Sequence, residues 1–117
     1  MGYNRLKKAY YRNSAGKEPA REFIASLDIK ARMRVFAQID RLKEGNSGSG
    51  HGVGGISELR IDYGPGYRVY YVIVQGLALI LLLTAGDKST QREDVKQAKK
   101  YYADYKKRTN EAGDEEN

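Results

Sequence analysis

The chain has 117 residues and a mass of 13.2 kDa, the length of one domain. It carries 21 Lys+Arg against 15 Asp+Glu, and four of those acids (Glu111, Asp114, Glu115, Glu116) fall in the last seven residues, so residues 1–110 hold 21 basic and 11 acidic side chains, a net +10. No cysteine and one histidine exclude disulfides, thiolate metal sites and cysteine nucleophiles, and a body this basic points to an acidic partner, nucleic acid first.

The opening MGYNRLKKAYYR has no apolar stretch of the kind a secretory signal needs, and the longest apolar run, Leu77 to Leu83, is far short of a membrane span. A cytoplasmic protein with no membrane contact is expected. Residues 3–12 mix tyrosines with basic residues and read as a first strand, closed by a turn at Asn13, Ser14 and Gly16. Pro19 suits the first turn of a helix, where its missing N–H costs nothing. Ala20, Phe23, Ile24 and Leu27 then share one helical face. Asp28 is placed to cap a second helix over about 29–44, with Ala31, Val35, Ile39 and Leu42 as its apolar stripe and Gly45-Asn46 as its stop. The short link predicts an antiparallel helical hairpin.

Residues 45–55 (GNSGSGHGVGG) contain six glycines and read as a flexible loop. They match neither a Walker A loop nor a Rossmann fingerprint. In ISELRID (56–62) Leu59 and Ile61 alternate with Glu58, Arg60 and Asp62, a strand with one apolar face. A turn at Tyr63-Gly64-Pro65-Gly66 leads to the strand YRVYYVIV (67–74), a tight turn at Gln75-Gly76, and LALILLLTA (77–85), apolar on both sides and so central and covered. Thr90 with Glu93 fits a capping box for a last helix over about 90–108, striped by Val95, Ala98, Tyr102 and Tyr105. The expected order is β-α-α-β-β-β-α: an α+β domain over 1–110 with an antiparallel meander at its centre. The acidic segment 111–117 is expected to carry no fixed structure.

Read in order, the first strand, the helical hairpin, "ELR", "GYRVYY", the leucine-rich strand and "GDKSTQ" opening a helix resemble the RelE/ParE toxin superfamily. They are most similar to its HigB-like, phage-derived branch, the addiction-module killer proteins. The likeness covers about 3–108, and 58–99 carries most of it. It implies a compact RelE-like fold and the toxin of a type II toxin–antitoxin pair. Such toxins act in one of two ways: as ribosome-dependent mRNA endoribonucleases, or, like ParE, as DNA gyrase inhibitors without nuclease chemistry. A degenerate module kept as an antitoxin-binding corepressor is the third possibility. The implied partners are a cognate antitoxin, HigA-like with a helix-turn-helix and forming a hetero-oligomer with the toxin, and the ribosome with its mRNA.

Metal-free RNA cleavage by 2′-OH attack needs fixed positive charge at the phosphate above all, and arginine supplies it bidentately. Arg68 matches the arginine of the family's Gly-Tyr-Arg strand start. Arg60, on the polar side of its strand, can meet Arg68 or Tyr70 across a hairpin, or pair with Glu58 or Asp62. Lys88 stands where nuclease relatives carry a basic residue. No metal and no other cofactor is called for. Glu58 and Tyr70 are the candidates for proton transfer, although a strand glutamate is more often solvated and a strand tyrosine more often packed. Asp87 reads as a turn and capping residue. Asp94 stands where some RelE-like nucleases carry a tyrosine. His51, among glycines, has no fixed orientation. Arg32, Arg34, Lys96, Lys99 and Lys100 are the candidates for general nucleic-acid contact.

Overall fold

A computed structural model describes residues 6–45 and 50–116. Its elements are β1 (Lys7–Tyr10), α1 (Pro19–Ala25), α2 (Ile29–Lys43), β2 (Gly50–Val53), β3 (Ile56–Ile61), β4 (Tyr67–Val74), β5 (Leu79–Asp87) and α3 (Gln91–Glu116), with short 3-10 turns at 75–77 and 88–90. The α+β class, the helical hairpin, the central meander and the C-terminal helix are as expected. Five strands form one sheet in the order β1-β5-β4-β3-β2.

The structure differs from the sequence reading in four places. First, β1 joins β5 in parallel, while the other four strands are antiparallel. The helices that follow β1 deny it a hairpin partner, so it takes the free edge of β5. Second, the glycine-rich segment contains a strand. Val53 and Ile56 pair across Gly54 and Gly55, whose φ values of 61° and 93° suit a two-residue hairpin turn that only glycine adopts easily; residues 46–49 lie outside the described residues. Third, the turn after β4 is a 3-10 turn closed by Ala78 in the left-handed region (φ 49°) rather than a two-residue turn. Fourth, α3 runs as helical backbone through Glu116, past the end at about 108 expected for the last helix. Ala and Glu are good helix formers, and a nucleated helix extends at little cost.

Helices cover both faces of the sheet. α1 and α2 bury Ala20, Ile24, Val35, Ile39 and Leu42 against Leu59, Ile61, Val69, Tyr71, Ile80 and Leu82. α3 lies on the other face, where Ala98 packs with Ile56, Tyr70, Val72, Leu81 and Leu83. Pro19 stands at the start of α1 as expected; Asp28 occupies the N-cap of α2 without a side-chain capping bond. Between β4 and β5 the register shifts: Tyr71 faces Leu82 and Tyr70 faces Thr84, which leaves Leu83 as the extra residue of a bulge. The bulge puts Ala85 on the α1/α2 face and sets Gly86 opposite Arg68 on the α3 face. No helix of the described residues is long and apolar enough to cross a membrane.

Candidate functional site

The polar residues of β3 and β4 meet on the α3 face. Glu58 pairs with Tyr70 and Arg60 with Arg68 in the ladder. Two arginines directly opposite one another repel, and Glu58 offsets that repulsion. Its Oε1 accepts from Arg60 Nε at 2.8 Å, and its Oε2 lies 3.7 Å from Arg68 Nε. Oε2 also accepts from Gln91 Nε2 at 2.7 Å, which ties the first residue of α3 to the sheet. Arg60 thus makes one of the two ion pairs that the sequence allowed it, and Asp62 is not its partner.

Burial divides this cluster. Glu58 is 0% exposed and Tyr70 0%, while the Arg60 side chain is 52% and the Arg68 side chain 11% exposed. The reading of Glu58 as a solvated strand residue is therefore corrected: the first turn of α3 covers the side of β3 that alternation alone marks as polar. Burial by itself would raise the Glu58 pKa. Hydrogen bonds from Arg60 and Gln91 and the nearby Arg60 charge outweigh it and hold the carboxyl below its usual range, so it is an anion. Tyr70 is pushed well above the usual phenol pKa, first by burial and then by the Glu58 charge, so it stays neutral. Its Oη and the Nε of Arg68 are buried without a well-formed hydrogen bond.

Around this cluster the backbone is crowded. Arg68 Nη1 donates to the Gly66 carbonyl at 3.0 Å. A Cβ at Gly66 would stand 3.3 Å from that nitrogen and 3.7 Å from Lys88 Cβ, so Lys88, exposed at the end of β5, begins beside Arg68. At Gly86 a Cβ would strike the Asp94 carboxylate and the Thr90 hydroxyl, so α3 can approach β5 this closely only over a glycine. Asp87 caps the turn that follows. Its carboxylate accepts from Ser89 N at 2.8 Å and from the Ser89 hydroxyl, bonds that hold its pKa below the usual range. The reciprocal partner in that box is Thr90, not the Thr90–Glu93 pair expected from sequence. The Thr90 hydroxyl donates instead to Asp94 at 2.6 Å, and Asp94, half-buried, has its pKa raised chiefly by burial.

The whole constellation lies inside the stretch that a family model recognises. Residues 22–107 match the model described as "Phage derived protein Gp49-like (DUF891)". The chain belongs to this Gp49-like family, a toxin-like family of RelE/HigB type in toxin–antitoxin systems. It is also similar to an uncharacterized protein of Haemophilus influenzae, 51% identical over 73 residues, which span 62% of this chain and 73% of the relative.

The five residues expected to give a general nucleic-acid surface do not form one patch on this Gp49-like fold. Arg32 and Arg34 stand on α2 and Lys96, Lys99 and Lys100 on α3, on opposite faces of the sheet. Arg34 stacks on Tyr63, 4.7 Å from its ring centre, and Arg32 lines a cleft with Lys8, Tyr10, Arg21 and Phe36. On α3, Lys96 pairs with Glu93 at 3.7 Å, Lys99 reaches the Gly54 turn, and Lys100 is exposed. His51 belongs to β2, paired in the ladder with Glu58; its side chain lies outside the described residues. Gln91 is the site residue that sequence reasoning missed. The one available signal was its place in GDKSTQ, at the start of the helix that follows β5 and its 3-10 turn.

Proposed function

We propose that this Gp49-like protein is the toxin of a type II toxin–antitoxin pair and that it inhibits translation as a ribosome-dependent mRNA endoribonuclease. The observation that carries the reading is the Arg60–Arg68 pair, two arginines opposite one another in one ladder whose guanidinium groups both approach a buried carboxylate. In the proposed reaction a ribose 2′-OH attacks the adjacent phosphorus. The new P–O bond forms as the bond to the 5′-oxygen breaks, giving a 2′,3′-cyclic phosphate and a 5′-hydroxyl. The nucleophile loses its proton and the leaving oxygen gains one. Arg68 and Arg60 hold the phosphate oxygens as charge builds on them, with Lys88 as a third cation at the rim; fixed charge of this kind usually contributes most to such catalysis. Glu58 and Tyr70 have no exposed surface, so we assign them no contact with the RNA. A cognate antitoxin, HigA-like with a helix-turn-helix, is the partner proposed to restrain the toxin.

Primer extension on cellular mRNA after brief induction tests the reading, with wild type beside Arg68→Ala. Codon-phased cuts within translated frames are expected, and loss of one oxyanion-type contact should lower them by about 10²–10³-fold in the variant. Growth arrest without cuts would redirect the reading to gyrase, and a DNA-cleavage assay would follow. No arrest at all would favour a non-toxic, antitoxin-binding corepressor.

A further inference from the structure

Arg60 and Arg68 are not held alike. Arg60 Nε makes a full hydrogen bond to Glu58 Oε1 at 2.8 Å, whereas Arg68 Nε, though buried, stops 3.7 Å from Oε2 and has no well-formed hydrogen bond. A buried charged donor left unbonded is costly, and a carboxylate oxygen is within easy reach. That oxygen already accepts one hydrogen bond, and the direction of that bond sets which way the carboxylate faces. The occupant of Oε2 is the Gln91 amide, at 2.7 Å. Gln91 is in turn placed by the Asp87–Thr90 cap at the end of β5, so its reach into the cluster is set by backbone geometry.

We propose that Gln91 is a positioning residue: by holding Glu58 Oε2 it keeps Arg68 from closing into a complete ion pair with Glu58 and leaves that guanidinium for an anion. On the reading above, on which the identity of the ligand rests, the anion is the RNA phosphate. The residue type suits the task. A glutamine donates one strong bond to the carboxylate without adding charge. Lysine or arginine would neutralise Glu58 and release Arg60, and glutamate would repel it. Among the described residues the one other hydrogen bond of the Arg68 side chain is the neutral bond from Nη1 to the Gly66 carbonyl, so besides Glu58 no carboxylate is hydrogen-bonded to it; Asp87 feels its charge without bonding it.

The test follows the Arg68 side-chain N–H resonance by NMR in the full-length chain, comparing wild type with Gln91→Met, which keeps the length and removes the donor. Gln91→Ala serves should the methionine variant not fold. A second readout is the affinity for a short RNA made uncleavable by a 2′-deoxy sugar at the nucleophile position. In the variant the Arg68 Nε–H signal should move downfield as it bonds Glu58, and the RNA Kd should rise about tenfold, with the fold retained by circular dichroism. An Arg68 resonance that does not move in the variant would overturn the proposal. So would a resonance that moves while a measurable RNA affinity stays the same. If the wild type binds no RNA yet the resonance moves as expected, the positioning role stands and the ribonuclease reading falls.

Discussion

The two faces of the sheet are built from the same strands and do opposite work. On β4, Val69 and Tyr71 point toward α1 and α2, and Arg68, Tyr70 and Val72 point toward α3. The first face is a continuous apolar layer of Leu59, Ile61, Ile80 and Leu82 closed by the helical hairpin. The second is apolar only at one end, around Leu81, Leu83 and Ala98. At the other end it is ionic, around Glu58, Arg60 and Arg68. A strand's period of two lets one residue serve stability and the next serve charge. The division teaches that the ionic cluster is supported from behind by an apolar core, so each face should respond to mutation on its own.

The largest effect is expected on the apolar face. Leu82 is 0% exposed between the hairpin and the sheet. Leu82→Ala should cost about 2–5 kcal/mol in denaturant unfolding, from lost transfer energy and the cavity left behind. If the faces are independent, the variant that remains folded at low temperature should still show the Arg60–Glu58 hydrogen bond. A loss of less than about 1 kcal/mol would mean that this layer is not the stabilising one.

Acid should act on the other face. Glu58 has a folded-state pKa below its unfolded value of about 4.3. Its contribution is therefore fully present above that unfolded value and is lost as pH falls through the folded one. Asp94 runs the other way: burial raises its pKa, so its penalty is relieved on acidification. Urea titrations from pH 7 to pH 3, wild type minus Glu58→Gln, isolate the Glu58 contribution. The difference should be constant at neutral pH and shrink below about pH 4.3. A flat difference across that range would show that Glu58 is not an ion-paired anion in the fold.

Alternation in ELRI made the sidedness of β3 legible, with Leu59 and Ile61 inward and Glu58 and Arg60 opposite. Alternation marks a face as polar but does not say whether another element covers it, so the burial of Glu58 could not be read. The partner that covers it, Gln91, is one polar residue in a helix's first turn, without periodicity to single it out. β2 was hidden by its glycines, although Gly54-Gly55 is itself a hairpin-turn signal. A net charge pools the whole chain, so it could not reveal that Arg32 and Arg34 stand on the opposite face from Lys96, Lys99 and Lys100. What came through was therefore what local spacing controls: the helical hairpin, the meander and the nearness of Arg60 to Arg68.

The smallest effect is expected at Tyr70, the residue where the two kinds of surface meet. Its ring packs with Val72, Leu83 and Ala98, while its hydroxyl is buried beside Glu58 without a well-formed hydrogen bond. Removing that hydroxyl leaves the packing intact and takes an unsatisfied polar atom out of the interior. Tyr70→Phe should therefore be neutral or slightly stabilising in denaturant unfolding, since a well-made hydrogen bond would have contributed about 0.5–1.5 kcal/mol. On the proposed ribonuclease reading the same variant should leave mRNA cleavage near the wild-type level, because a fully buried phenol held far above its usual pKa offers RNA no surface and keeps its proton at neutral pH. A clear loss of stability would mean that Tyr70 donates to Glu58 and belongs to the ionic cluster. A loss of cleavage with stability intact would move the boundary between the two regions by one residue and place a proton donor inside the site.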